Sequence, residues 1–293
     1  MKDFGVLIVD KPVGPTSHHV VQVVRRGTRV RKVGHAGTLD PRASGVLVLC
    51  LGAATRLSEY LSTTSKRYEA TVRFGAATKT YDTEGEITVH TGIAPTLEEI
   101  EAALPQFKGE IHQIPPPYSA IKVKGRKAYE MARAGQEVNL DPRKVIIFDL
   151  EAVTYDPPDL TLRITSSAGT YIRSLAHDLG TALSTGAHLA ALRRTKAGPF
   201  SLEETIPFSK LEGSFVTGAW EQFVLPARDA LPDFPIVELD GDPLKMIRNG
   251  HRIPSETGSN GMARAIGPDG ELAAVLEAVE DGTMWHPRKV FVR

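Results

Sequence analysis

The segment from Arg31 to Leu49, RKVGHAGTLDPRASGVLVL, places one carboxylate in a short loop between a basic stretch and an apolar run. A proline directly after Asp40 disfavours a helical conformation at the aspartate, and the run Val46–Leu51 predicts a buried strand. Glycines in the segment permit sharp turns and close approach of the backbone: Gly34, Gly37 and Gly45. The local pattern fits a catalytic aspartate, but an Asp-Pro turn with only local hydrogen bonds would look the same.

The composition predicts a globular protein of a reducing compartment. At 293 residues and 41% hydrophobic content, the chain can form one large domain and a smaller one. Its longest apolar stretches are far shorter than the roughly 20 residues of a membrane span, and the N-terminal apolar run is too short for a signal peptide. A single cysteine, Cys50, excludes an internal disulfide and is expected to be inert core. We therefore expect a cytoplasmic protein without membrane association.

Positive charge is concentrated in part of the chain, although the formal net charge is zero. Residues 1–80 have a balance of +8 and residues 111–200 of +4, whereas residues 81–110 and 201–293 have −6 each. A polyanion responds to the local field rather than to the global sum. The distribution therefore allows a nucleic-acid partner, but a solvated basic face would give the same counts.

Strand and helix patterns follow one another without a regular βαβ period. Lys66–Phe74 alternates apolar and polar residues, which is typical of a half-buried antiparallel strand. Helix N-caps are expected at three places: Thr16 or Ser17, Thr96, and Thr170. The order of elements predicts an α+β fold with a mixed, largely antiparallel central sheet flanked by helices. Frequent Gly, Pro and Asn turns after about residue 231 predict a separate small C-terminal β domain.

The motifs of several reaction classes are missing. The chain has no Walker A sequence, no G-x-G-x-x-G, no H-E-x-x-H, no C-x-x-C and no G-x-S-x-G elbow. We therefore expect neither a metal nor a cofactor, and an ionised carboxylate suits cofactor-free chemistry as nucleophile or base. Arg173, in the first turn of the helix after Thr170, opposes the helix dipole by roughly 0.3–1 kcal/mol. A nearby carboxylate or phosphate would offset this cost, although an arginine that extends into water is an equal alternative.

Six blocks between Lys11 and about Phe200 match the motifs of one enzyme family, in the family's order. The blocks are Val33–Leu47, Lys66–Ala70, Thr80–Gly85, Pro116–Gly125 with Ala128–Arg133, Gly169–Gly180, and His188–Thr195. Together they resemble the signature of the bacterial TruB-type tRNA pseudouridine synthases. One departure is Ser166, where many relatives have a cysteine, and we expect little consequence because that cysteine has no catalytic role in the family pattern.

The resemblance implies isomerisation of uridine 55 in the T-loop of tRNA. The C1′–N1 glycosidic bond breaks, the uracil turns, and C5 bonds to C1′. By the family pattern Asp40 is the catalytic nucleophile and Arg173 pairs with it. Tyr68 is expected to stack on the target base, which is a common aromatic role in RNA recognition, although the alternation of its strand alone predicts a core tyrosine.

Further residues are expected, by the same resemblance, to bind the substrate. His35 would enter the loop and displace the target base, Leu192 would line the uracil pocket, and Asp82 would support the site. Extruding a base costs a few kcal/mol, which contacts with the RNA backbone must supply. The candidate basic contacts are Arg29, Arg31, Lys32, Lys122, Lys124, Arg126, Lys127, Arg193 and Arg194.

The resemblance also predicts the domain organisation and the partner. Residues 1–230 would form the catalytic domain, with a clamp-like insertion at about residues 115–144, and residues 231–293 a small PUA-like RNA-binding domain. The partner would be tRNA, bound through its T stem-loop and, by the C-terminal domain, its acceptor end. We expect a monomer with no obligate protein partner.

Two alternative functions stay open. One is a non-catalytic RNA-binding or RNA-folding protein, and family members are thought to assist tRNA folding as well. A protein that only binds RNA would not need Asp40, Tyr68 and Arg173 together. The other is a guide-RNA-dependent synthase of the same fold, which the compact C-terminal segment disfavours.

Overall fold

The structure is a computed structural model that describes residues 5–119, 121–123, 125–255 and 260–292. Its strands are β1 Gly5–Lys11, β2 Val33–His35, β3 Ala43–Leu51, β4 Lys66–Phe74, β5 Ala76–Thr78, β6 Ile87–His90, β7 Gly109–Gln113, β8 Lys122–Val123, β9 Arg126–Lys127, β10 Arg143–Asp156, β11 Asp159–Ser166, β12 Ala187–Ala197, β13 Phe200–Ser201, β14 Ile206–Pro207, β15 Leu225–Pro226, β16 Ile236–Glu238, β17 Ile253–Pro254, β18 Met262–Ile266, β19 Leu272–Val279 and β20 Met284–Val290. Its α-helices are α1 Ser17–Thr28, α2 Ser58–Ser62, α3 Leu97–Ala103, α4 Ala128–Arg133, α5 Ile172–Ala182, α6 Phe208–Ser214 and α7 Gly241–Arg248. Within the described ranges, no helix has the length and apolar character to cross a membrane.

The chain divides into two compact units. The first unit takes its described residues from 1–41, 46–62 and 199–293, and the second unit consists of residues 42–45 and 63–198. Strand β3 contributes its first three residues to the second unit and the rest to the first. The chain therefore passes between the units four times.

The second unit is built on a largely antiparallel sheet. Strand β4 pairs with both β12 and β11, β11 pairs with β10, and β10 pairs with β7, all antiparallel. The exception is a parallel pairing of Ala43–Gly45 with Leu192–Arg194 of β12. A core forms between this sheet and helices α3 and α5, because the buried faces of β4 and β11 meet apolar side chains such as Ile100 and Leu175.

The first unit contains short strands paired around β1 and β3, and a separate five-stranded sheet. Strand β1 pairs in parallel with β14 and antiparallel with β15, and β2 pairs antiparallel with β3. The five-stranded sheet has the order β16-β18-β19-β20-β17 and its own apolar core around Trp285. The predicted α+β class, with a mixed central sheet, helices and a C-terminal β domain, is confirmed.

An arginine ties the C-terminal sheet to the segment before it. The guanidinium of Arg264, on β18, is buried and donates hydrogen bonds to the carbonyls of Arg228, Pro232 and Phe234. Each of these acceptors lies in the segment that leads into β16. These bonds hold the C-terminal sheet to its connecting chain within the first unit.

Two of the three predicted helix caps are confirmed and one is wrong. Thr16 Oγ1 accepts from the backbone N of His19 at 3.0 Å, and Thr96 forms a full capping box with Glu99. Helix α5, however, begins at Ile172 with Tyr171 as its N-cap. Thr170 Oγ1 instead donates to the carbonyl of Ser167 at 3.0 Å, because the local turn competes for the hydroxyl.

The predicted strands are confirmed with small shifts at their ends. In β4, Tyr68, Ala70, Val72 and Phe74 are buried, while Arg67, Glu69 and Arg73 are exposed. Strand β3 begins at Ala43, three residues before the predicted start. Cys50 in β3 is fully buried, and burial raises the pKa of its thiol to about 12. The thiol is therefore inert at neutral pH.

Candidate active site

The loop that carries Asp40 is fixed on both sides of the aspartate. The Ser17 hydroxyl donates to the carbonyl of Leu39 and accepts from its backbone N, both at 2.8 Å. On the other side, the backbone N of Gly14 donates to the carbonyl of Pro41 at 2.8 Å. Leu39 is buried and Asp40 is partly exposed. Ser17, at the start of α1, and Gly14, in the segment before the helix, thus hold the backbone on the two sides of the carboxylate.

Two of the three glycines in this segment are required by the backbone. Gly37 and Gly45 have φ angles of 103° and 102°, which side chains of L-residues rarely adopt. A Cβ atom on Gly45 would also lie 2.2 Å from the carbonyl oxygen of Arg194. Gly34 is different, because it lies in strand β2 without a positive φ. The conformational freedom that glycine permits is therefore used at Gly37 and Gly45 and not at Gly34.

Arg173 forms a buried ion pair with Asp82 in the second unit. Its Nη1 lies 3.3 Å from Asp82 Oδ2, and both side chains are 9% exposed. The same Nη1 donates to the Thr80 carbonyl at 3.2 Å, and Nη2 donates to the Tyr118 carbonyl at 3.1 Å. A cation in the first turn of α5 opposes the helix dipole, and Asp82 is an anion that offsets this cost. The guanidinium is thereby held in a defined orientation.

The turn that carries Asp82 is itself constrained. Asp82 Oδ1 accepts from Thr80 Oγ1 at 2.5 Å and from the backbone N of Glu84 at 3.0 Å. Tyr81 has a φ of 63°, an uncommon conformation for a non-glycine residue. Its ring stacks on the ring of His177, one helical turn after Arg173, with centroids 3.9 Å apart. Residues 80–82 therefore contact helix α5 at Arg173 and again at His177, one helical turn later.

Tyr68 and Leu192 lie at the same core of the second unit. Tyr68 is 9% exposed and belongs to the buried cluster between the sheet and α5, as the alternation of β4 indicates. Leu192 is half-buried, packs against this cluster, and is paired with Ala43 on one side and Ala70 on the other. His35, on β2 of the first unit, is also half-buried and paired with Leu49.

The basic candidates differ in their accessibility. Arg29, Arg31 and Lys32 are exposed, as are Arg25 and Arg26 at the end of α1. Arg126 is exposed, Lys122 and Lys127 are paired across the β8–β9 hairpin, and Lys124 lies outside the described residues. Arg193 is half-buried and its Nη1 donates to Ser44 Oγ at 3.3 Å.

Arg194 is not a surface contact, which corrects one prediction. It is 1% exposed, and it is paired in the sheet with Tyr68. Beside it in the second unit lies Lys66, which is 5% exposed. Burial, with a smaller contribution from Arg194, lowers the pKa of Lys66 to about 8. Among the described residues, no group of three or more metal-ligating side chains is arranged to hold a metal ion.

Two models of one protein family match consecutive parts of the chain. Residues 25–172 match the TruB family pseudouridylate synthase (N terminal domain), and residues 173–231 match the tRNA pseudouridylate synthase B C-terminal domain. The chain belongs to the TruB family of pseudouridylate synthases. The family predicted from the sequence motifs is therefore confirmed.

Relatives within the TruB family match almost the whole chain. It is 39% identical over 290 residues to "tRNA pseudouridine synthase B" of Pseudomonas aeruginosa (strain UCBPP-PA14), with 98% of this chain and 95% of the relative covered. It is 44% identical over 284 residues to the protein of that name from Thermobifida fusca (strain YX), with 93% and 94% covered.

Solved structures give the same fold. The chain matches one in a "Cbf5-Nop10-Gar1 Complex" with a TM-score of 0.77 and 28% identity, covering 99% of this chain and 86% of that one. A chain of an "H/ACA RNP bound to a substrate RNA containing 2'-deoxyuridine" matches with a TM-score of 0.76, 27% identity and the same coverage.

The sequence did not reveal two polar contacts, one made by Ser17 in the first unit and one made by Gln113 in the second. Ser17 holds Leu39, and the buried amide of Gln113 binds the backbone of Tyr171 at the start of α5. The signal for Ser17 was present but ambiguous, because Thr16 and Ser17 were equal candidates for the cap. Since Thr16 caps α1, the Ser17 hydroxyl is available for the loop.

Proposed function

We propose that the protein is a tRNA pseudouridine synthase that converts uridine 55 of the T-loop, with Asp40 as the catalytic nucleophile. The observation that carries the proposal is the near full-length similarity to proteins named tRNA pseudouridine synthase B. The backbone around Asp40 supports it, because hydrogen bonds hold the peptide units on both sides of this residue. A preorganised nucleophile requires such a fixed backbone.

The proposed site combines Asp40 with Tyr68, Arg173 and Leu192. Two residues separate Asp40 from Ala43, so their Cα atoms are at most about 11 Å apart. Ala43 is paired with Leu192, and Leu192 packs on the cluster that contains Tyr68. This covalent limit supports a uracil pocket walled by Leu192, in which Tyr68 stacks on the base. We expect the carboxylate of Asp40 to form a salt bridge with Arg173.

The proposed reaction is an isomerisation that leaves the elemental composition of the uridine unchanged. Asp40 supplies the electron pair that allows the C1′–N1 bond to break, and it is released as a free carboxylate by the end of the reaction. The uracil then turns and C5 bonds to C1′, after which C5 loses its proton and N1 carries one. Tyr68 takes part in the removal of the C5 proton. Arg173, which is held by Asp82, would pair with the reacting carboxylate.

Binding of the RNA backbone supplies the energy for base extrusion. The exposed cations Arg29, Arg31 and Lys32 follow α1 directly, and Arg126 is exposed on the insertion. Such side chains suit phosphate contacts. His35 would displace the target base, Lys122, Lys124 and Arg193 would contribute to RNA binding, and the C-terminal sheet would contact the acceptor end. The protein would act as a cytoplasmic monomer without a protein partner.

The first test uses an unmodified tRNA transcript and the purified full chain. Pseudouridine should form at position 55 without guide RNA or added protein, and mapping of the modified nucleotide gives the site. Asp40→Asn and Asp40→Ala should abolish product while tRNA binding is retained. Asp242→Asn, an exposed carboxylate change on α7, is the control and should keep full activity.

Other outcomes of this experiment would assign a different function. Full activity of the Asp40→Ala protein would refute the proposed mechanism. Tight binding with no product from the wild type would indicate an RNA-binding or RNA-folding protein. Product that appears only with a guide RNA would indicate a guide-dependent synthase.

A further inference from the structure

Two paired residues on neighbouring strands mark the points where the insertion leaves the sheet and returns to it. Strand β7 ends at Gln113 and β10 begins at Arg143, and these two residues are partners in the antiparallel pairing. The chain between them leaves the sheet and returns to it. Gln113 is therefore the last sheet residue before the proposed RNA clamp.

The amide of Gln113 holds the start of helix α5. Its Oε1 accepts from the backbone N of Tyr171 at 2.8 Å, and its Nε2 donates to the Tyr171 carbonyl at 3.0 Å. Gln113 is 2% exposed. Tyr171 is the N-cap of α5, and its own side chain makes no capping hydrogen bond. A residue 58 positions earlier thus fixes the point at which the helix begins.

Two more hydrogen bonds join the same segment to the first turn of α5. Ser174 Oγ donates to the Ile114 carbonyl at 2.7 Å, and Arg173 Nη2 donates to the Tyr118 carbonyl at 3.1 Å. Residues 113–118 therefore contact α5 through four hydrogen bonds. In one of them the guanidinium of Arg173 donates to the Tyr118 carbonyl, so the position of this carbonyl helps to set the orientation of Arg173.

We propose that Gln113 is a positioning residue for Arg173 and couples the insertion to the catalytic site. By holding Tyr171, it fixes the start of α5 relative to the segment Ile114–Tyr118. In this arrangement the Tyr118 carbonyl and Asp82 bind different nitrogens of the guanidinium. RNA that displaces the insertion would act on Arg173 through this connection. The inference rests on the proposed function, because it assumes that Arg173 serves catalysis.

The chemistry of the contact explains why an amide is needed. Tyr171 presents a donor and an acceptor to the same side chain, and the amide of Gln113 meets both, with Oε1 as acceptor and Nε2 as donor. Leucine would leave both backbone groups without this partner in a buried place. Ionised glutamate would accept from the Tyr171 N but repel its carbonyl. Protonated glutamate can do both, and burial favours the protonated form.

The test measures kcat and KM for pseudouridine formation with a tRNA transcript. Gln113→Leu should lower kcat about tenfold or more, since small displacements of a catalytic group are costly, with KM for tRNA changed less than about twofold. Gln113→Glu should lose activity at about pH 8 and recover towards the wild-type rate as the pH falls to about 6. Tyr155→Phe is the control, because it removes one side-chain hydrogen bond to the Pro95 carbonyl in the same unit. It should keep kcat within about twofold.

The outcomes separate this inference from the proposed function. If Gln113→Leu keeps the wild-type kcat while Arg173→Lys loses it, the positioning role is refuted and the proposed function stands. If Gln113→Leu does not fold, the pH profile of Gln113→Glu decides: a constant ratio to the wild type contradicts the role. If Asp40→Asn is active, the failure belongs to the proposed function.

Discussion

The Ser17 hydroxyl and the backbone of Leu39 form a reciprocal pair of hydrogen bonds, each 2.8 Å long, across 22 positions of the chain. Ser17 is the first residue of α1 and is 2% exposed. Leu39 directly precedes Asp40, so the start of a helix sets the position of the proposed nucleophile. Ser17 thus acts on the proposed nucleophile through the backbone of Leu39.

Ser17→Ala should therefore reduce catalysis more than binding. It removes both hydrogen bonds to Leu39, which allows the loop to shift, and we expect kcat to fall about tenfold with little change in KM for tRNA. The free energy of unfolding should fall by about 1–3 kcal/mol, because the Leu39 groups lose their buried partner. Ser214→Ala is a matched control, since it also removes a buried hydroxyl that donates to a carbonyl. Equal kcat values for the two variants would contradict the prediction.

Asp82→Ala should destabilise the protein strongly. It leaves the buried guanidinium of Arg173 without this carboxylate, and breaking such a pair costs about 3–5 kcal/mol. Asp159→Asn is the comparison, because Asp159 and Arg73 lie closer, at 2.6 Å, but are more exposed. That change should cost at most about 1 kcal/mol. Urea unfolding measures both, and similar losses would show that burial does not set the strength of the Asp82 pair.

The stability of the protein should rise between neutral and alkaline pH through Lys66. Burial lowers the pKa of Lys66 to about 8, whereas an unfolded lysine titrates near 10.5. Between these values the unfolded chain binds more protons, so the free energy of unfolding increases with pH by at most about 1.4 kcal/mol per unit. Urea unfolding at about pH 7.5 and about pH 9.5 should show a steeper rise for the wild type than for Lys66→Met. Equal slopes would mean that Lys66 is not desolvated.

Ser166→Cys should stabilise the protein. Ser166 is fully buried, and its hydroxyl has no hydrogen-bond partner among the described residues. A buried hydroxyl without a partner costs about 1–3 kcal/mol, and a thiol is a much weaker polar group. Thermal and urea unfolding should show a gain of about 1 kcal/mol. The same change at Ser214, whose hydroxyl donates to Leu211, should destabilise, and the same sign at both sites would refute the explanation.

The exposed cations at the end of α1 should contribute to the salt dependence of tRNA binding. Changing Arg25, Arg26 and Arg29 to glutamine should weaken binding and reduce the slope of log K against log salt by roughly 0.7–0.9 for each lost phosphate contact. Arg25 and Arg26 occupy the last turn of the helix. The control neutralises three cations that are already paired with carboxylates: Lys108, Lys144 and Arg163. An unchanged slope in the α1 variant would exclude this surface from the contact with RNA.

The structure follows the sequence-based predictions where a local pattern determines it. The period of two in Lys66–Phe74 identified the buried face of β4, and the box at Thr96 identified the start of α3. The structure departs from these predictions where distant polar groups compete. Thr170 was expected to cap α5, but the helix start is held by Gln113, and no local signal reveals a partner 58 positions away.

The burial of Arg194 was also not predictable from the local sequence, although this residue lies within a strand. A basic pair at positions 193 and 194 suggests a solvated face, yet Arg194 is buried. Strand β12 has register shifts on both sides of these residues, at Leu189/Ala191 and at Arg194/Lys196. Each shift changes which face a given position occupies, so alternation cannot be counted through it. The position of Asp40 was predictable as a loop, whereas its support by Ser17 required the tertiary structure.

The pairing of β1 with β14 and β15 has a consequence for synthesis on the ribosome. Val9 is paired with Ile206 and Gly5 with Pro226, so one edge of β1 can form its pairing only after about 200 further residues have been synthesised. At roughly 5–20 residues per second, this delay amounts to about 10–40 s. During that time the nascent chain exposes an apolar strand edge, which is a template for wrong pairing. Chaperone protection of the emerging strand β1 would therefore matter more for this protein than for one in which such a strand pairs only with near neighbours.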